Sequence, residues 1–243
     1  MSGKVDLGQR PSEGYTYQAF GLHFKACLPC PELLVSNQPP EVTVAYGPVP
    51  EALQGFSPEG SWYQSAPGLF LLKITDIARF LIRNGEEIII DRAPQASDAE
   101  VRLFLLGSVM GALMHQRRRL PLHGSAIRLP DGTATIFLGP PGIGKSTLAA
   151  AFRQRGYAVA ADDISLIFAG DDAVPWLQPA YPELKLWAEA AARIGEDAQA
   201  LPRSRTILEK YSLCFHDQFD WTPLPVGRLY VLDTADSERF EIT

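Results

Sequence analysis

The chain has 243 residues, of which 46% are hydrophobic and 21% are charged, and its formal net charge is -6 at pH 7. A chain of this length and apolar content can bury a substantial core, either as one large domain or as two small ones. The acidic balance gives no sign of a nucleic-acid-binding surface. No apolar run approaches the roughly eighteen residues that a membrane span requires.

The three cysteines are an odd number, and the chain begins with no recognisable signal peptide. Both features predict a reducing, cytoplasmic location. Cys27 and Cys30 form a C-x-x-C pair, but a zinc site needs about four ligands and the sequence holds no second pair. The favoured interpretation is that this pair packs inside the protein or occurs by chance.

Proline and glycine punctuate residues 1–95, and short apolar runs lie between them at 41–46, 69–74 and 87–90. This pattern is typical of short strands joined by turns. We therefore expect a small β-rich N-terminal domain over residues 1–95. Trp62 and Tyr63 belong to this part and are expected in its core or at an interface.

The sequence SDAE at 97–100 is a capping box, in which Ser97 can accept a hydrogen bond from the Glu100 amide while the Glu100 side chain reaches back. A helix is expected from here to about Arg119, where a run of three arginines would meet the negative end of the helix dipole. Because this helix is apolar on more than one face, we expect it to be buried between two halves of the protein. The second domain is therefore placed at residues 96–243.

The sequence LPLHGSAIRLPDGTATIFL at 120–138 predicts a β-hairpin, since Asp131-Gly132 tolerates the positive φ of a tight turn. Its second strand, 133–138, runs directly into GPPGIGKST. A helix is expected to follow as far as about Arg155 and to end at Gly156. Two further strands, 157–161 and 164–168, are predicted on either side of an Asp-Asp pair.

The sequence after this hairpin matches the phosphate-loop pattern G-x-x-x-x-G-K-[ST], with a strand before it and a helix after it. Its glycines let backbone amides turn inward at a helix N-terminus and form an anion-binding nest. Lys145 is expected to reach the β- and γ-phosphates, and the Ser146 hydroxyl to bind Mg²⁺. The predicted cofactors are therefore ATP and Mg²⁺. The residues expected to bind them are Gly139, Pro140, Pro141, Gly142, Ile143, Gly144, Lys145, Ser146 and Thr147.

Two adjacent carboxylates, Asp162 and Asp163, follow the predicted P-loop helix and the next strand. That strand is expected to lie beside the P-loop strand, with the acids at its carboxyl end, where open α/β sheets bind ligands. One carboxylate near Mg²⁺ is offset by the cation, and the other can accept the proton of an incoming hydroxyl. Lys145 and the metal would make the like charges tolerable. The alternative is that the pair forms a solvated turn.

Three segments, LHGSAI, GPPGIGKST and RGYAVAADDISLI, resemble the catalytic domain of the HPr kinase/phosphorylase family, which is related to PEP carboxykinases. The resemblance covers about residues 120–168. It implies an α/β fold, in which a P-loop-containing HPr kinase-like catalytic domain follows the small β-rich N-terminal domain. It also implies that Asp163 is the catalytic base with His123 beside it, and that Asp162 and Ser146 lie at the Mg²⁺ site.

The chain departs from this family after the acids. In place of a Glu-x-Arg-Gly signature stands YPELKLW, with Glu183 and Lys185 at comparable positions. A later active-site arginine of the family corresponds either to Arg228 or, as a competing cation, to Lys210. The C-terminal helices with which HPr kinases hold a folded protein partner have no counterpart here.

The segments YQAFGL, LPCPELL and LPLHGSAI resemble more closely the HPr kinase-like proteins encoded with lasso-peptide biosynthesis genes. This resemblance implies an ATP-dependent peptide serine kinase acting on the C-terminal Ser of a ribosomally made precursor peptide. Lys185, Lys210 and Arg228 are then candidate cations for the terminal carboxylate. Two alternatives stay open: an HPr-type protein serine kinase/phosphorylase in carbon regulation, and a nucleotide-binding sensor without transfer chemistry. The expected partner is the precursor peptide, with neither nucleic acid nor membrane, and the oligomeric state, a homo-oligomer included, is left open.

Overall fold

The computed structural model describes residues 14–57, 59, 61–170, 174–197, 200–205, 208–216 and 219–234, with the backbone alone described at 203–205 and 208–210. Among these residues, no helix is both long enough and apolar enough to cross a membrane.

The N-terminal part of the chain folds into one eight-stranded sheet. Its strands are β1 (Tyr15–Ala19), β2 (Leu22–Ala26), β3 (Leu34–Val35), β4 (Val42–Tyr46), β5 (Tyr63–Ala66), β6 (Leu69–Ile74), β7 (Ala78–Arg83) and β8 (Glu87–Arg92). Their order across the sheet is β3-β1-β2-β4-β8-β7-β6-β5. Strand β4 runs parallel to both of its neighbours, and the other pairs are antiparallel. The predicted β-rich character of this part is confirmed.

Alternation of side chains explains why these runs form strands. In β2, Leu22, Phe24 and Ala26 are buried, whereas His23 and Lys25 between them are partly exposed. A period of two places every second side chain on the same face of a sheet. One face of the sheet therefore supplies a continuous apolar surface.

A broken helical segment follows the sheet. Helix α1 (Asp98–Phe104) begins with the predicted capping box: Ser97 Oγ accepts from the Glu100 amide, and the Glu100 carboxylate accepts from the Ser97 amide. A π-helical segment (Leu105–Val109) then leads into helix α2 (Met110–Gln116). The prediction of a single helix to Arg119 is wrong, because Gly107 takes non-helical dihedral angles, φ -98° and ψ -105°, and interrupts it.

The helical segment belongs to a core that it shares with both halves of the chain. Val101 and Leu113 are fully buried in one apolar cluster. The same cluster contains Phe80 of the N-terminal sheet, and Ile136 and Leu177 from later in the chain. This agrees with the predicted burial of the helical segment between two halves of the protein.

The remaining chain contains nine further strands and two helices among the described residues. The strands are β9 (Leu120–Arg128), β10 (Ala134–Leu138), β11 (Val159–Ala161), β12 (Ile164–Ala169), β13 (Pro175–Gln178), β14 (Glu183–Trp187), β15 (Arg203–Arg205), β16 (Leu208–Cys214) and β17 (Leu224–Val231). The helices are α3 (Lys145–Gln154) and α4 (Ala188–Arg193). Strands β14, β16 and β15 form a small antiparallel sheet in that order.

Five of these strands close into a ring. In turn, β10 pairs with β17, β17 with β13, β13 with β12, β12 with β9, and β9 with β10. Only the β10–β17 pair is parallel. The described residues after 119 thus contain a five-stranded mixed barrel, the small β14-β16-β15 sheet, strand β11 at the free side of β9, and the helices α3 and α4. The predicted β9–β10 hairpin is confirmed, with Gly132 at a φ of 81° in its turn.

The strand that leads to the two acids does not lie next to the P-loop strand, contrary to expectation. Strand β11 pairs with β9, and β9 separates it from β10. The physical reason is the length of β9, whose nine residues offer one edge to β10 and the other to β12 and β11 in succession.

Candidate functional site

A glycine-rich loop connects β10 to α3. Gly139, Gly142 and Gly144 have φ values of 139°, 85° and 105°, which only glycine adopts readily. At Gly139 a Cβ atom would lie 2.6 Å from the carbonyl oxygen of Leu232, so a side chain is excluded there by backbone as well. No side chain among the described residues caps the amides at the start of α3. The amides of the first turn lie at the helix N-terminus, where the helix dipole favours an anion.

Lys145 lies on the inner side of this loop. Its side chain is buried, and Nζ donates to the carbonyl oxygens of Gly139 at 2.8 Å and Pro140 at 2.9 Å. The loop therefore curls around the Lys145 ammonium group, which its own carbonyl oxygens hold in place.

Asp162 and Asp163 lie between β11 and β12, which pair in succession with the same edge of β9. The register of these strands on β9 places the acids opposite residues 124–125. On the other edge of β9, Gly124 pairs with Leu138, the last residue of β10. The start of the P-loop and the acid pair therefore lie at the same level of the barrel, one strand apart.

The Asp162 carboxylate is buried and accepts three hydrogen bonds. Its Oδ1 accepts from Ser125 Oγ at 2.6 Å and from Ser146 Oγ at 2.8 Å, and its Oδ2 accepts from the Lys185 amide at 2.8 Å. Burial raises the pKa of Asp162 above its usual value, although the bonds from Lys185 and Ser125 oppose this. The role of Ser125 was missed from the sequence, although it lies two residues after His123 in the segment LHGSAI.

The oxygens of Ser146 and Asp162 fit a magnesium ion. A hydroxyl and a carboxylate are oxygen ligands, and Mg²⁺ in nucleotide sites uses one or two protein ligands together with phosphates and water. Among the described residues, no group of three or more His, Cys, Asp or Glu side chains is placed to hold a metal. The hydroxyl of Ser146 and the carboxylate of Asp162 suit Mg²⁺ held jointly with a nucleotide. Magnesium binding stays a prediction.

Asp163 faces different partners. Its Oδ2 lies 3.2 Å from Lys185 Nζ and its Oδ1 lies 3.4 Å from His123 Nδ1. His123 Nδ1 is also 3.0 Å from the Asp163 carbonyl oxygen, which can only accept, so Nδ1 carries the proton. The Asp163 side chain remains 26% exposed and that of His123 52% exposed. The structure thus brings the predicted base and its histidine together within reach of an incoming molecule.

Lys185 occupies the centre of a buried ionic cluster. Its side chain is only 6% exposed, and besides Asp163 its Nζ contacts Glu183 Oε2 at 3.8 Å and Tyr181 OH at 3.4 Å. Burial by itself would lower the pKa of Lys185, but the oxygens of Tyr181, Glu183 and Asp163 outweigh it and raise that pKa well above its usual value. The sequence signal was the spacing of Glu183 and Lys185, which puts both on one face of β14.

The other two candidate cations lie elsewhere or cannot be placed. Arg228 stands opposite Thr135 in the barrel, and together with hydrogen bonds from Thr133 its charge lowers the pKa of Asp131 in the hairpin turn. The hairpin turn is at the opposite end of β10 from the P-loop, so Arg228 is not part of this site. The side chain of Lys210 lies outside the described residues, although its backbone pairs with Trp187.

The C-x-x-C pair lies in the N-terminal sheet region. Cys30 is in the core, Cys27 is half-buried, and both are free thiols. Burial raises the pKa of Cys27 to about 11 and that of Cys30 still further above its usual value. Neither thiol is therefore prepared for reaction, which agrees with the packing interpretation.

Two cavities meet at the acid pair. The smaller, of about 260 Å³, is lined by the P-loop from Pro141 to Thr147 together with Asp162, Lys185 and Trp187. The larger, of about 900 Å³, lies between the N-terminal sheet, the helical segment and β9. His123 and Asp163 line both cavities.

Comparison with known proteins finds no protein-family model and no curated protein that match this chain. The roles of the site residues therefore rest on the P-loop motif and on the geometry described above.

Proposed function

We propose that the protein is an ATP-dependent serine kinase that transfers the γ-phosphoryl group of ATP to a hydroxyl of a peptide. The observation that carries this proposal is the position of Asp163 and His123 on the wall shared by the two cavities. A nucleotide in the smaller cavity and an acceptor in the larger one would meet at a single carboxylate. A sensor without transfer chemistry has no need of that arrangement.

The donor side of the reaction is formed by the P-loop. Its backbone amides and the Lys145 ammonium would bind the phosphates, and Ser146 and Asp162, whose side chains are hydrogen-bonded to each other, would hold Mg²⁺. Mg²⁺, when bound, offsets the negative charge that the β- and γ-phosphates carry. Ser125 fixes the orientation of Asp162 by donating to the same carboxylate oxygen as Ser146.

The acceptor side of the reaction depends on Asp163. The acceptor oxygen forms a bond to the γ-phosphorus, the bond from that phosphorus to the β,γ-bridging oxygen breaks, and ADP leaves. The proton of the acceptor hydroxyl passes to the Asp163 carboxylate. The Lys185 ammonium and His123 hold the two carboxylate oxygens in place, so the base is positioned before the acceptor arrives.

The acceptor that we propose is the C-terminal Ser of a ribosomally made precursor peptide of the lasso type. This follows the resemblance to kinases encoded with lasso-peptide genes. Among the described side chains of the three candidate cations, only Lys185 lies at the acid pair. Recognition of a terminal carboxylate would therefore depend on Lys185. An exchange of the peptide acid for the amide tests this directly.

The location that we propose is the cytoplasm, where a precursor peptide and ATP are both present. The described cysteines are free thiols, which suits a reducing compartment. The formal net charge of -6 supports the proposal that nucleic acid is not a partner.

The test uses three synthetic peptides that differ only at the C-terminus. The first ends in Ser with a free carboxylate (Ser acid), the second in Ser with an amide (Ser amide), and the third in Ala with a free carboxylate (Ala acid). With Mg·ATP, mass spectrometry should find one added phosphate on the Ser acid and none on the Ala acid. The Ser amide should react more slowly. Lys145→Ala should abolish transfer, because it removes the charge that faces the phosphates.

Three results would oppose the proposal. Phosphate on internal residues of both peptide acids would contradict the terminal Ser as acceptor. Transfer to folded carrier proteins alone would indicate an HPr-type protein kinase. Binding of Mg·ATP without transfer to any hydroxyl would favour the alternative of a nucleotide-binding sensor without transfer chemistry.

A further inference from the structure

The larger cavity is an open, largely apolar groove, and Asp163 is one of the residues that line it. Its walls come from strands β5 and β6, from the helical segment and from β9, and they include Tyr63, Phe70 and Phe104. Its described lining contains no Lys, Arg or Glu, and its charged or chargeable groups other than the Tyr63 phenol are Asp163 and two histidines, His115 and His123. An acidic ligand side chain would find no Lys or Arg along these walls.

Two aromatic side chains stand unburied at this groove. Trp62 is 59% exposed and Tyr63 is 46% exposed, and their rings meet edge to face with centroids 5.2 Å apart. Of the two expectations for these residues, core or interface, the core is therefore wrong. Large aromatic surfaces left in water beside a cavity are typical of a binding site, because a ligand that covers them gains the free energy of burial.

Glycines keep the approach to Asp163 open. A Cβ atom at Gly107 would lie 3.9 Å from Asp163 Oδ2, and a Cβ atom at Gly111 would lie 3.8 Å from Ile164 Cδ1. Neither contact is a clash, so the protein itself could accommodate alanine at both positions. The absence of a side chain at Gly107 leaves the space beside the Asp163 carboxylate unfilled, at the point where the helical segment is interrupted.

We propose that this groove binds the side chain of the residue that immediately precedes the phosphorylated serine in the acceptor peptide. That side chain is bulky and apolar, either aliphatic or aromatic. The inference rests on the proposed function, because it takes Asp163 as the group that meets the serine hydroxyl. An extended chain advances about 3.3–3.6 Å per residue, so the residue before the serine lies within reach of the cavity that Asp163 lines. The groove selects an unfolded apolar peptide segment as its substrate.

The expected preference is large. Burial of a Leu or Phe side chain in place of glycine should raise kcat/KM about tenfold to a hundredfold. An aspartate at the same position should react more slowly than glycine, because it would be desolvated without a partner and would approach Asp163.

The experiment compares three synthetic peptides that end in Leu-Ser, Gly-Ser and Asp-Ser, with phosphate transfer measured by mass spectrometry. The same peptides are titrated into the protein without ATP, with the fluorescence of Trp62 as the binding signal. Trp62→Phe identifies the part of the signal that comes from this side chain. The expected order is Leu above Gly above Asp in both measurements.

A matched pair of variants locates the effect. Ser108→Phe places a ring in the groove from an exposed position on the helical segment, and Ala192→Phe places the same ring on the exposed surface of α4. Ser108→Phe should remove the preference for Leu-Ser and leave the affinity for Mg·ATP unchanged. Ala192→Phe should behave as wild type in both respects.

The outcomes separate this inference from the function beneath it. Equal phosphorylation of all three peptides, unaffected by Ser108→Phe, would contradict the proposed role of the groove and support the proposed kinase activity. Selective binding of Leu-Ser that is lost in Ser108→Phe, without any transfer, would overturn the kinase and keep the groove as a binding site. Neither binding nor transfer would overturn both.

Discussion

Asp162 and Asp163 are neighbours in sequence but have different surroundings. Asp162 is buried beneath three hydrogen bonds from Ser125, Ser146 and the Lys185 amide. Asp163 is partly exposed and faces the Lys185 ammonium and His123. Two carboxylates whose environments differ in this way can take two different roles, one at a metal ion and one at a proton. Lys185 connects them, because its backbone binds one acid and its side chain the other.

Lys185 should be essential for stability as well as for chemistry. Lys185→Met leaves Glu183 buried without its cation, and loss of one partner from a buried ion pair destabilises a protein by roughly 3–5 kcal/mol. Lys185→Arg, which keeps the charge, should lose less. Urea unfolding measures both, and Glu183→Gln added to Lys185→Met should recover part of the loss. A Lys185→Met variant as stable as wild type would show that the cluster contributes nothing to folding.

The stability of the protein should depend on pH through Glu183. Burial raises the pKa of Glu183 above its ordinary value of 4.5, and Lys185 and Ser212 only partly oppose this. Between the ordinary and the raised pKa the folded state binds more protons than the unfolded state, so the free energy of unfolding falls as pH rises. Relative to Glu183→Gln, wild type should therefore lose stability as pH rises from about 4 towards 7. A difference that moves in the other direction would mean that Lys185 outweighs burial.

At the scale of the elements, β9 organises the site. One of its edges carries β10 and the P-loop, and the other carries β11, the acid pair and β12. Gly124, in the middle of β9, lies between the end of β10, where the P-loop starts, and the acid pair on the other edge of β9. A Cβ atom at Gly124 would meet Leu138 Cδ2 at 2.6 Å and the carbonyl oxygen of Phe137 at 2.7 Å.

Gly124→Ala should therefore destabilise the protein by roughly 1–3 kcal/mol, the usual effect of overpacking. Rotation of the Leu138 side chain cannot relieve the contact with backbone. Gly111→Ala is the matched control, since it lies within α2 with its nearest contact at 3.8 Å. It should be neutral or gain about 0.5–1 kcal/mol from better helix propensity. Thermal unfolding measures both variants. Equal shifts in melting temperature for Gly124→Ala and Gly111→Ala would contradict the close approach at Gly124.

Local signals in the sequence predicted local structure well. The capping box at Ser97, the turn at Gly132 and the end of α3 before Gly156 each depend on residues close in sequence, and each is found. The P-loop and the acid pair are likewise local patterns, and their functional roles stay predictions. The break at Gly107 was not predicted, because an isolated glycine is tolerated in many helices and only packing decides its conformation.

Long-range arrangement could not be read from the sequence. The position of β9 between β10 and β11 is set by tertiary pairing, and strand patterns say nothing about which strand pairs with which. For the same reason, Lys185 was only one of three candidate cations until β14 placed it beside Asp163. The junction of the two cavities at Asp163 is a property of three separate parts of the chain.

At the scale of the whole molecule, the N-terminal sheet and the barrel share one apolar core through the helical segment. The sheet also supplies a wall of the groove, through Tyr63 and Phe70. The N-terminal part is thus tied to the site both by packing and by the surface that an acceptor would touch.

The protein should therefore unfold in one cooperative transition. Fully buried residues such as Val101 and Leu113 contact a core with members in both halves, so neither half can lose its structure without exposing the other. Differential scanning calorimetry should give equal calorimetric and van't Hoff enthalpies. Two separated transitions, or a fragment 96–243 that folds alone with the same melting temperature, would contradict the shared core.

The central claim is that Asp163 accepts the proton of a hydroxyl that receives the γ-phosphoryl group. The most direct measurement is phosphate transfer from Mg·ATP to a peptide ending in Leu-Ser by wild type, Asp163→Asn and Asp162→Asn, with nucleotide affinity measured beside it by calorimetry. Asp163→Asn should bind nucleotide nearly as wild type and transfer phosphate more slowly by a factor on the order of 10² to 10⁴. Asp162→Asn should instead raise the Mg²⁺ concentration needed for activity. Full transfer by Asp163→Asn at saturating Mg²⁺ would contradict the account.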